Sequence, residues 1–313
     1  MSGPRVGISA CLLGQPVRYN GGAKPDDWII EVLSQAVDFV PFCPEMEMGL
    51  GTPREALRLV RERTGDPLSL RETNSGRDHT ENALSTRARI YQRLKEVDGV
   101  ILKKASPTCG MERVKVYGKD GIPGTTAPGL FGGGLIEVFP DLPVTEEGRL
   151  TDLDQREHFV TRVFGHFRLR SLSARVSEIQ KFHQTHKFLL MAHSPVHYSS
   201  LGRLAANSEN LSPAELLLRY RRGFLDALKE PATAPRKVNV VQHVMGYFKR
   251  ELTQPEKEQL LGLLEDYRLG RIPYAAVISV LEHLMSRFSQ PYLKDQVFFY
   301  PFPRELGFVH KGA

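Results

Sequence analysis

The sequence of 313 residues holds three cysteines. Cys11 lies in Gly7-Ile-Ser-Ala-Cys-Leu-Leu-Gly14, Cys43 in Phe42-Cys-Pro-Glu45, and Cys109 in Lys104-Ala-Ser-Pro-Thr-Cys-Gly110. An odd number of thiols cannot close into a complete set of internal disulfides. In a reducing compartment such thiols are buried small side chains, nucleophiles or metal ligands. A single cysteine at the end of a strand is most often plain packing. Here all three follow, directly or within a few residues, short apolar runs that read as strands. In an open parallel sheet, ligands bind beyond the carboxyl ends of the strands. Three thiolates around a point form a tripod of soft donors, which suits zinc or an iron–sulfur cluster, and composition does not separate the two. A 4Fe–4S cluster usually takes four cysteines, so three would leave one iron open to a substrate.

The elements that must position these thiols are legible as an alternation. Residues 5–10 read as a buried strand, 15–27 as a turn-rich stretch, and 28–37 as an amphipathic helix with Ile29, Ile30, Leu33, Ala36 and Val37 at helical spacing. Residues 38–42 form a second strand, 82–95 a helix, and 99–103 a third strand. Residues 124–134 read as loop or short helix, and 135–139 as a fourth strand. This pattern predicts an α/β domain with a doubly wound, mostly parallel sheet. From residue 151 the periodicity turns helical, over 159–169, 177–191, 213–228, 238–251, 255–267 and 275–288. Pro195, Pro231, Pro235 and Pro273 fall between these runs. Ser212 is placed as an N-cap with Pro213 in the first turn. The expected division is an α/β domain over 1–150 and an all-helical domain over 151–313.

Charge follows the same division. Residues 1–150 carry 19 Lys and Arg against 20 Asp and Glu, whereas residues 151–313 carry 23 against 16. The net +6 therefore belongs to the second half, which suggests a polyanion partner there and a neutral first domain bearing the site. No run approaches the roughly 20 apolar residues of a membrane span. The N-terminus lacks the basic head and apolar segment of a secretory signal. A cytoplasmic protein without a membrane partner is expected.

Several motifs together resemble the thiouracil desulfurase (TudS) family. They are Ile8-Ser-Ala-Cys-Leu-Leu-Gly14 with Val17-Arg-Tyr-Asn-Gly21, Cys43-Pro-Glu45 with Gly49-Leu-Gly-Thr-Pro-Arg54, Ser106-Pro-Thr-Cys-Gly110, and Gly124-Thr-Thr-Ala127. The resemblance spans roughly residues 4–140. Behind it, Phe182-His-Gln-Thr-His-Lys187, Leu190-Met-Ala-His-Ser-Pro195, Leu201-Gly-Arg203 and Gly246-Tyr-Phe-Lys249 look like the helical domain often fused to it, as in tRNA 4-thiouridine desulfidases. The resemblance implies a 4Fe–4S cluster on Cys11, Cys43 and Cys109, whose free iron takes the sulfur of a thiolated pyrimidine. Thr108 departs from the serine common in the family, with the hydroxyl kept.

On that basis Glu45, two residues from a proposed ligand, is assigned as general acid/base. Ser106 is assigned to hydrogen-bond the substrate or relay a proton. Lys103 and Lys104 place positive charge at the same edge. Arg18, Tyr19 and Asn20 are candidate lid or nucleobase contacts, and Gly124, Thr125 and Thr126 offer backbone N–H groups to a carbonyl or phosphate. In the helical half, His183, His186 and His193 share a face if one helix runs through them. Packing is a better account of them than a metal site, since the Glu of a zinc-protease helix is missing. Arg219, Arg221, Arg222, Arg236, Lys237, Lys249 and Arg250 suit a tRNA backbone. Tyr198, Tyr220, Tyr247 and Phe248 are candidates to stack an unpaired base, although aromatics at this spacing are more often core. The leading expectation is a non-redox desulfidase acting on 4-thiouridine in thiolated tRNA. The alternatives are a desulfurase of free thiouracil bases, a hydro-lyase with Arg54 as a carboxylate-binding candidate, and a non-enzymatic iron–sulfur RNA-binding sensor.

Overall fold

A computed structural model describes residues 3–306. Among them the strands run β1 (Arg5–Ser9), β2 (Asp38–Phe42), β3 (Leu57–Val60), β4 (Ser69–Glu72), β5 (Gly99–Leu102), β6 (Val114–Tyr117), β7 (Pro123–Ala127) and β8 (Val144–Glu146). The first sheet has the order β2-β1-β5-β8 and is parallel throughout. A parallel sheet covered on both faces needs apolar side chains at every position, and all four residues of β5 are buried. On one face Val6, Ile8 and Ile101 pack with Ile29 and Leu33, and with Val160, Val163 and Leu306. On the other, Phe42, Val100 and Leu102 pack with Ile90, Leu94, Phe131 and Leu135. The covering helices are α1 (Asp27–Glu31), α3 (Thr80–Leu94), α4 (Leu130–Val138) and α5 (Leu153–Arg170), while α2 (Pro44–Glu47) is a single turn after β2.

Three sequence expectations change. Residues 28–37 do not form one helix. α1 starts from the Asp26 cap, whose carboxylate accepts from the Ile29 amide at 3.1 Å, and gives way to a 3-10 turn over Leu33–Gln35. The β-branched series Ile29, Ile30 and Val32 is poor helix material. Residues 135–139 are not a strand, because α4 occupies most of them and the fourth parallel strand is β8. The apolar run 135–139 fits either period, and a tertiary contact decides between them: a Cβ at Gly132 would lie 2.4 Å from the Cys109 carbonyl oxygen. The glycines of 129–134 thus let a helix press on the loop of Cys109. The second sheet, β4-β3-β6-β7, was unforeseen. It pairs parallel only between β3 and β6 and antiparallel at both flanks. Its strands of four or five residues sit in strongly charged sequence, which hides the alternation. Leu59, Leu70, Val114 and Val116 bury its inner face.

The helical half follows as α6 (Val176–Thr185), α7 (Lys187–His193), α8 (Pro195–Ala205), α9 (Pro213–Lys229), α10 (Ala234–Met245), α11 (Gln254–Arg268), α12 (Tyr274–Arg287) and α13 (Pro291–Lys294). Its core holds Phe188, Tyr220, Phe224, Val240, Phe248, Val277 and Leu281. The Ser212 hydroxyl caps α9 through the Glu215 amide, with Pro213 in the first turn. The expected single helix over 177–191 breaks at His186, whose ring turns back to the Phe182 carbonyl. Pro195 opens α8 rather than only separating helices.

The chain divides into two compact units, residues 3–167 with 302–306, and 168–301. The first extends past the residue-150 division expected from composition, because Phe159, Val160, Val163 and Phe164 of α5 belong to the sheet's core. Among the described residues no helix is long and apolar enough to cross a membrane.

Candidate active site

The chain leaves β1 for β2 on one side and returns to β5 on the other, which opens a crevice at the carboxyl ends of the strands. Cys11 sits in the 3-10 turn Ala10–Leu13 that follows β1. Cys43 directly follows β2 and precedes Pro44, the first residue of α2. Cys109 lies in the loop after β5. All three line one cavity of about 170 Å³.

The Cys109 loop is held from two sides. The Ser106 hydroxyl accepts from the amides of Thr108 and Cys109 at 3.3 and 3.1 Å. Amides of Gly129, Leu130 and Phe131 donate to the carbonyls of Gly110, Pro107 and Thr108. The α4 N-terminus therefore locks the cysteine in place, and the glycines make that close approach possible.

The thiols form no disulfide, and Cys11 and Cys109 are buried. Burial pushes Cys11 up to about 11, with the Cys43 thiol adding to the shift and Lys103 opposing it. Burial likewise raises Cys43, against the Met46 amide. It raises Cys109 too, helped by Cys43 and opposed by a hydrogen bond from Ser9. With no metal bound, the thiols are protonated, and a bound cation turns them into thiolates. Among the described residues no three His, Cys, Asp or Glu side chains stand close enough to hold one metal ion. Three soft thiol donors lining one cavity are the donor set that an iron–sulfur cluster takes.

Glu45 also lines the cavity. Its Oε2 accepts from Arg54 Nε at 3.0 Å and from Arg54 Nη2 as well. Its Oε1 accepts from the Thr108 hydroxyl at 3.0 Å. That hydroxyl is 3.0 Å from Ser106 Oγ, so Ser106, Thr108 and Glu45 form one chain. Arg54 also donates to the carbonyls of Val17 and Gly51, at 2.8 and 2.7 Å. With its donors so engaged, Arg54 is a clamp rather than a free carboxylate receptor. Lys103 lines the cavity and pairs with Glu147, just past β8, whose other oxygen accepts from the Lys104 amide at 2.7 Å.

Arg18 and Tyr19 reach the cavity wall, whereas Asn20 turns its own loop by accepting from the Gly22 amide at 3.1 Å. Gly124, Thr125 and Thr126 do not line the cavity; they lie on β7, where Thr125 and Thr126 pair with Val116 and Lys115 of β6. Sequence reasoning undervalued Arg54 and Thr108 and missed Glu147 and Ser9. Placing the fourth strand at 144–146 would have put Glu147 at the same topological edge as the cysteines.

In the helical unit the histidines pack instead of converging on a metal. His183 Nδ1 meets the Tyr220 hydroxyl at 3.1 Å, His186 Nε2 accepts from Arg168 at 3.2 Å, and His193 Nδ1 meets the Glu230 carbonyl at 2.6 Å. Tyr220 and Phe248 are core residues. Tyr198 stacks on His183, and Tyr247 on Tyr292. Arg219 pairs with Glu215, Arg221 donates to the Leu172 carbonyl, Arg236 to the His193 carbonyl, and Lys237 lies 4.5 Å over the Tyr274 ring. Arg222, Lys249 and Arg250 remain exposed.

A family model described as 2-thiouracil desulfurase matches residues 6–147, and one described as a protein of unknown function (DUF1722) matches residues 187–303. The uncharacterized protein YbgA of Escherichia coli (strain K12) is 30% identical over 135 residues, 42% of this chain and 79% of that protein. A solved structure of the 4Fe-4S-dependent thiouracil desulfidase TudS is 30% identical; the match covers 47% of this chain and 93% of that one, with a TM-score of 0.37. The cysteine-bearing half built around this cavity is thus a 2-thiouracil desulfurase domain.

Proposed function

We propose that this protein is a 4Fe–4S-dependent desulfidase that removes sulfur from 4-thiouridine in tRNA, giving uridine and hydrosulfide. The observation that carries the reading is the convergence of Cys11, Cys43 and Cys109 on one cavity beside Glu45. Cys11, Cys43 and Cys109 would hold the cluster, which would supply a Lewis acid for the substrate's sulfur. A cytoplasmic setting, where thiols stay reduced, suits such a site.

The chemistry exchanges C=S for C=O. Water gives its oxygen to the ring carbon and sulfur leaves as hydrosulfide, with no net electron transfer. Glu45 takes the proton of the attacking water. Arg54 occupies Oε2 and leaves Oε1 to the Thr108 hydroxyl, which orients the group for work as a base. Oε1 and the Thr108 and Ser106 hydroxyls then form the path along which that proton moves to the ring nitrogen or the departing sulfur. Lys103 balances negative charge beside Cys11. Tyr19, 44% exposed at the cavity mouth, offers a ring to stack on the pyrimidine.

The +7 balance of residues 151–313 and the exposed Arg222, Lys249 and Arg250 support tRNA as the carrier of the thiolated base. The second reading is a free thiouracil substrate, favoured by the substrate of the similar TudS protein. Anaerobic reconstitution followed by an assay on bulk thiolated tRNA tests the proposal. The expected result is a brown protein that releases hydrosulfide and erases the near-ultraviolet absorption of the thiolated tRNA. A colourless, zinc-holding protein that releases no sulfide overturns it. Faster turnover of free thiouracil than of thiolated tRNA would favour the second reading.

A further inference from the structure

The outer face of the second sheet carries a line of cations. Arg58 of β3 stands opposite Arg71 of β4, and Lys115 of β6 opposite Thr126 of β7. The Leu59–Val116 register of β3 with β6 sets Arg58 beside Lys115. Leu59, Leu70, Val114 and Val116 alternate with these residues and face the core. Arg71, Arg58, Lys115 and Thr126 therefore share the opposite face. Like charges at opposed positions weaken a sheet. Arg71 is offset by Glu62 and Asp78. Among the described residues Arg58 pairs with no acid: its guanidinium lies over the Tyr117 ring at 5.4 Å, and its buried Nε makes no hydrogen bond. Lys115 and Thr126 are exposed, as is Lys119 in the β6–β7 turn. Asp120 in that turn is engaged by the Ile122 amide at 3.1 Å.

This face is tethered to the site. Arg58 is four residues beyond Arg54, and Lys115 six beyond Cys109. Even a fully extended chain keeps their Cα atoms within about 14 Å and 22 Å of those residues. We propose that the Arg58–Lys115–Thr126 face binds the phosphate backbone of tRNA beside the thiolated nucleotide, an inference that rests on the tRNA reading above. Guanidinium, ammonium and hydroxyl donors in a row are what phosphate oxygens take, and a free base offers no phosphate to them.

The test uses the full-length, cluster-loaded protein with the exposed-site variants Lys115→Glu, Thr126→Glu and Lys115→Arg. Binding of unthiolated tRNA is measured by mobility shift across a salt series. The ratio of kcat/KM on thiolated tRNA to that on free thiouracil is measured alongside. Lys115→Glu and Thr126→Glu should each weaken tRNA binding about tenfold at low salt, and Lys115→Glu should lower the salt slope by about 1. The tRNA-to-base ratio should fall in step, and Lys115→Arg should keep it. If the parent binds and desulfurates tRNA while both Glu variants match it in affinity and salt slope, this surface is wrong and the substrate reading stands. A parent that does not bind tRNA overturns both.

Discussion

The Arg54–Glu45 pair offers the sharpest test of how the site is built. Its side chains are 6% and 14% exposed, so Arg54→Met would leave a carboxylate buried with only the Thr108 hydroxyl as partner. Removing one member of a buried ion pair costs about 3–5 kcal/mol. At about 2–4 °C per kcal/mol for a domain of this size, the unfolding midpoint of the first unit should drop by roughly 6–20 °C. Glu45→Gln should cost about 2–3 kcal/mol, since the guanidinium keeps a neutral acceptor. The double variant orphans no charge, so it should be more stable than the sum of the two losses, with a coupling of about 2–3 kcal/mol. Turnover separates positioning from chemistry. Glu45→Gln should keep the brown colour and lose activity, whereas Arg54→Met should lose about tenfold to a hundredfold in kcat through misplacement of Oε1. Thermal and urea unfolding of the cluster-free protein give the midpoint shift and the coupling, and cluster absorbance with kcat on thiolated tRNA gives the chemistry. Additive losses, or an Arg54→Met protein as stable as the parent, would refute the clamp.

Further outcomes follow from the same geometry. Thr108→Val removes the hydroxyl from Glu45 Oε1 and should lower kcat about tenfold to a hundredfold, with Thr108→Ser close to the parent; equal rates for Val and Ser would exclude the hydroxyl chain. Cys109→Ala should abolish both iron–sulfur absorbance and sulfide release, and retention of a normal spectrum would remove Cys109 from the ligand set. With Cys11 raised to about 11, the cluster-free protein at pH 8 should hold about a hundredfold less Cys11 thiolate than an ordinary thiol of pKa near 9; fast alkylation by iodoacetamide at Cys11 would contradict this. Burial, then Arg168, depresses His186 to about 3. Because the folded value lies below the unfolded one, its stabilisation is complete above about pH 6.5 and is lost as pH falls toward 3. The loss at pH 5 is about 2 kcal/mol. Urea midpoints at pH 7.5 and pH 5 should differ in the parent and converge in His186→Gln, and a flat parent profile would count against a neutral His186.

Local sequence was enough for much of the architecture. The apolar runs within β1 and β5 read as strands of a parallel sheet covered on both faces, because burial on both faces removes any polar alternation. The short run of β2 joins them as an edge strand. A cysteine near the end of each run was enough to suggest a common edge. Cap chemistry is equally local, and Ser212 with Pro213 stands where the residue types require. The short, charged strands of the second sheet were not legible, since four residues of alternating pattern carry too little signal.

Residue type and order thus determined the parallel sheet, the all-helical second half and the three thiols at strand ends. Tertiary structure alone decided that 135–138 belong to a helix pressed on the Cys109 loop. It also decided that Arg54 belongs to Glu45, that Glu147 belongs to Lys103, and that the histidines of the helical half are packing residues. For Lys103 and Glu147, 44 residues apart, and for the Cys109 loop against α4 the physical reason is range, since strand burial and helix caps are written within about ten residues. Arg54 is nine residues from Glu45, and the path of the loop after α2 brings them together. Glu45 and Thr108 are 63 residues apart in the chain and 3.0 Å apart in the fold.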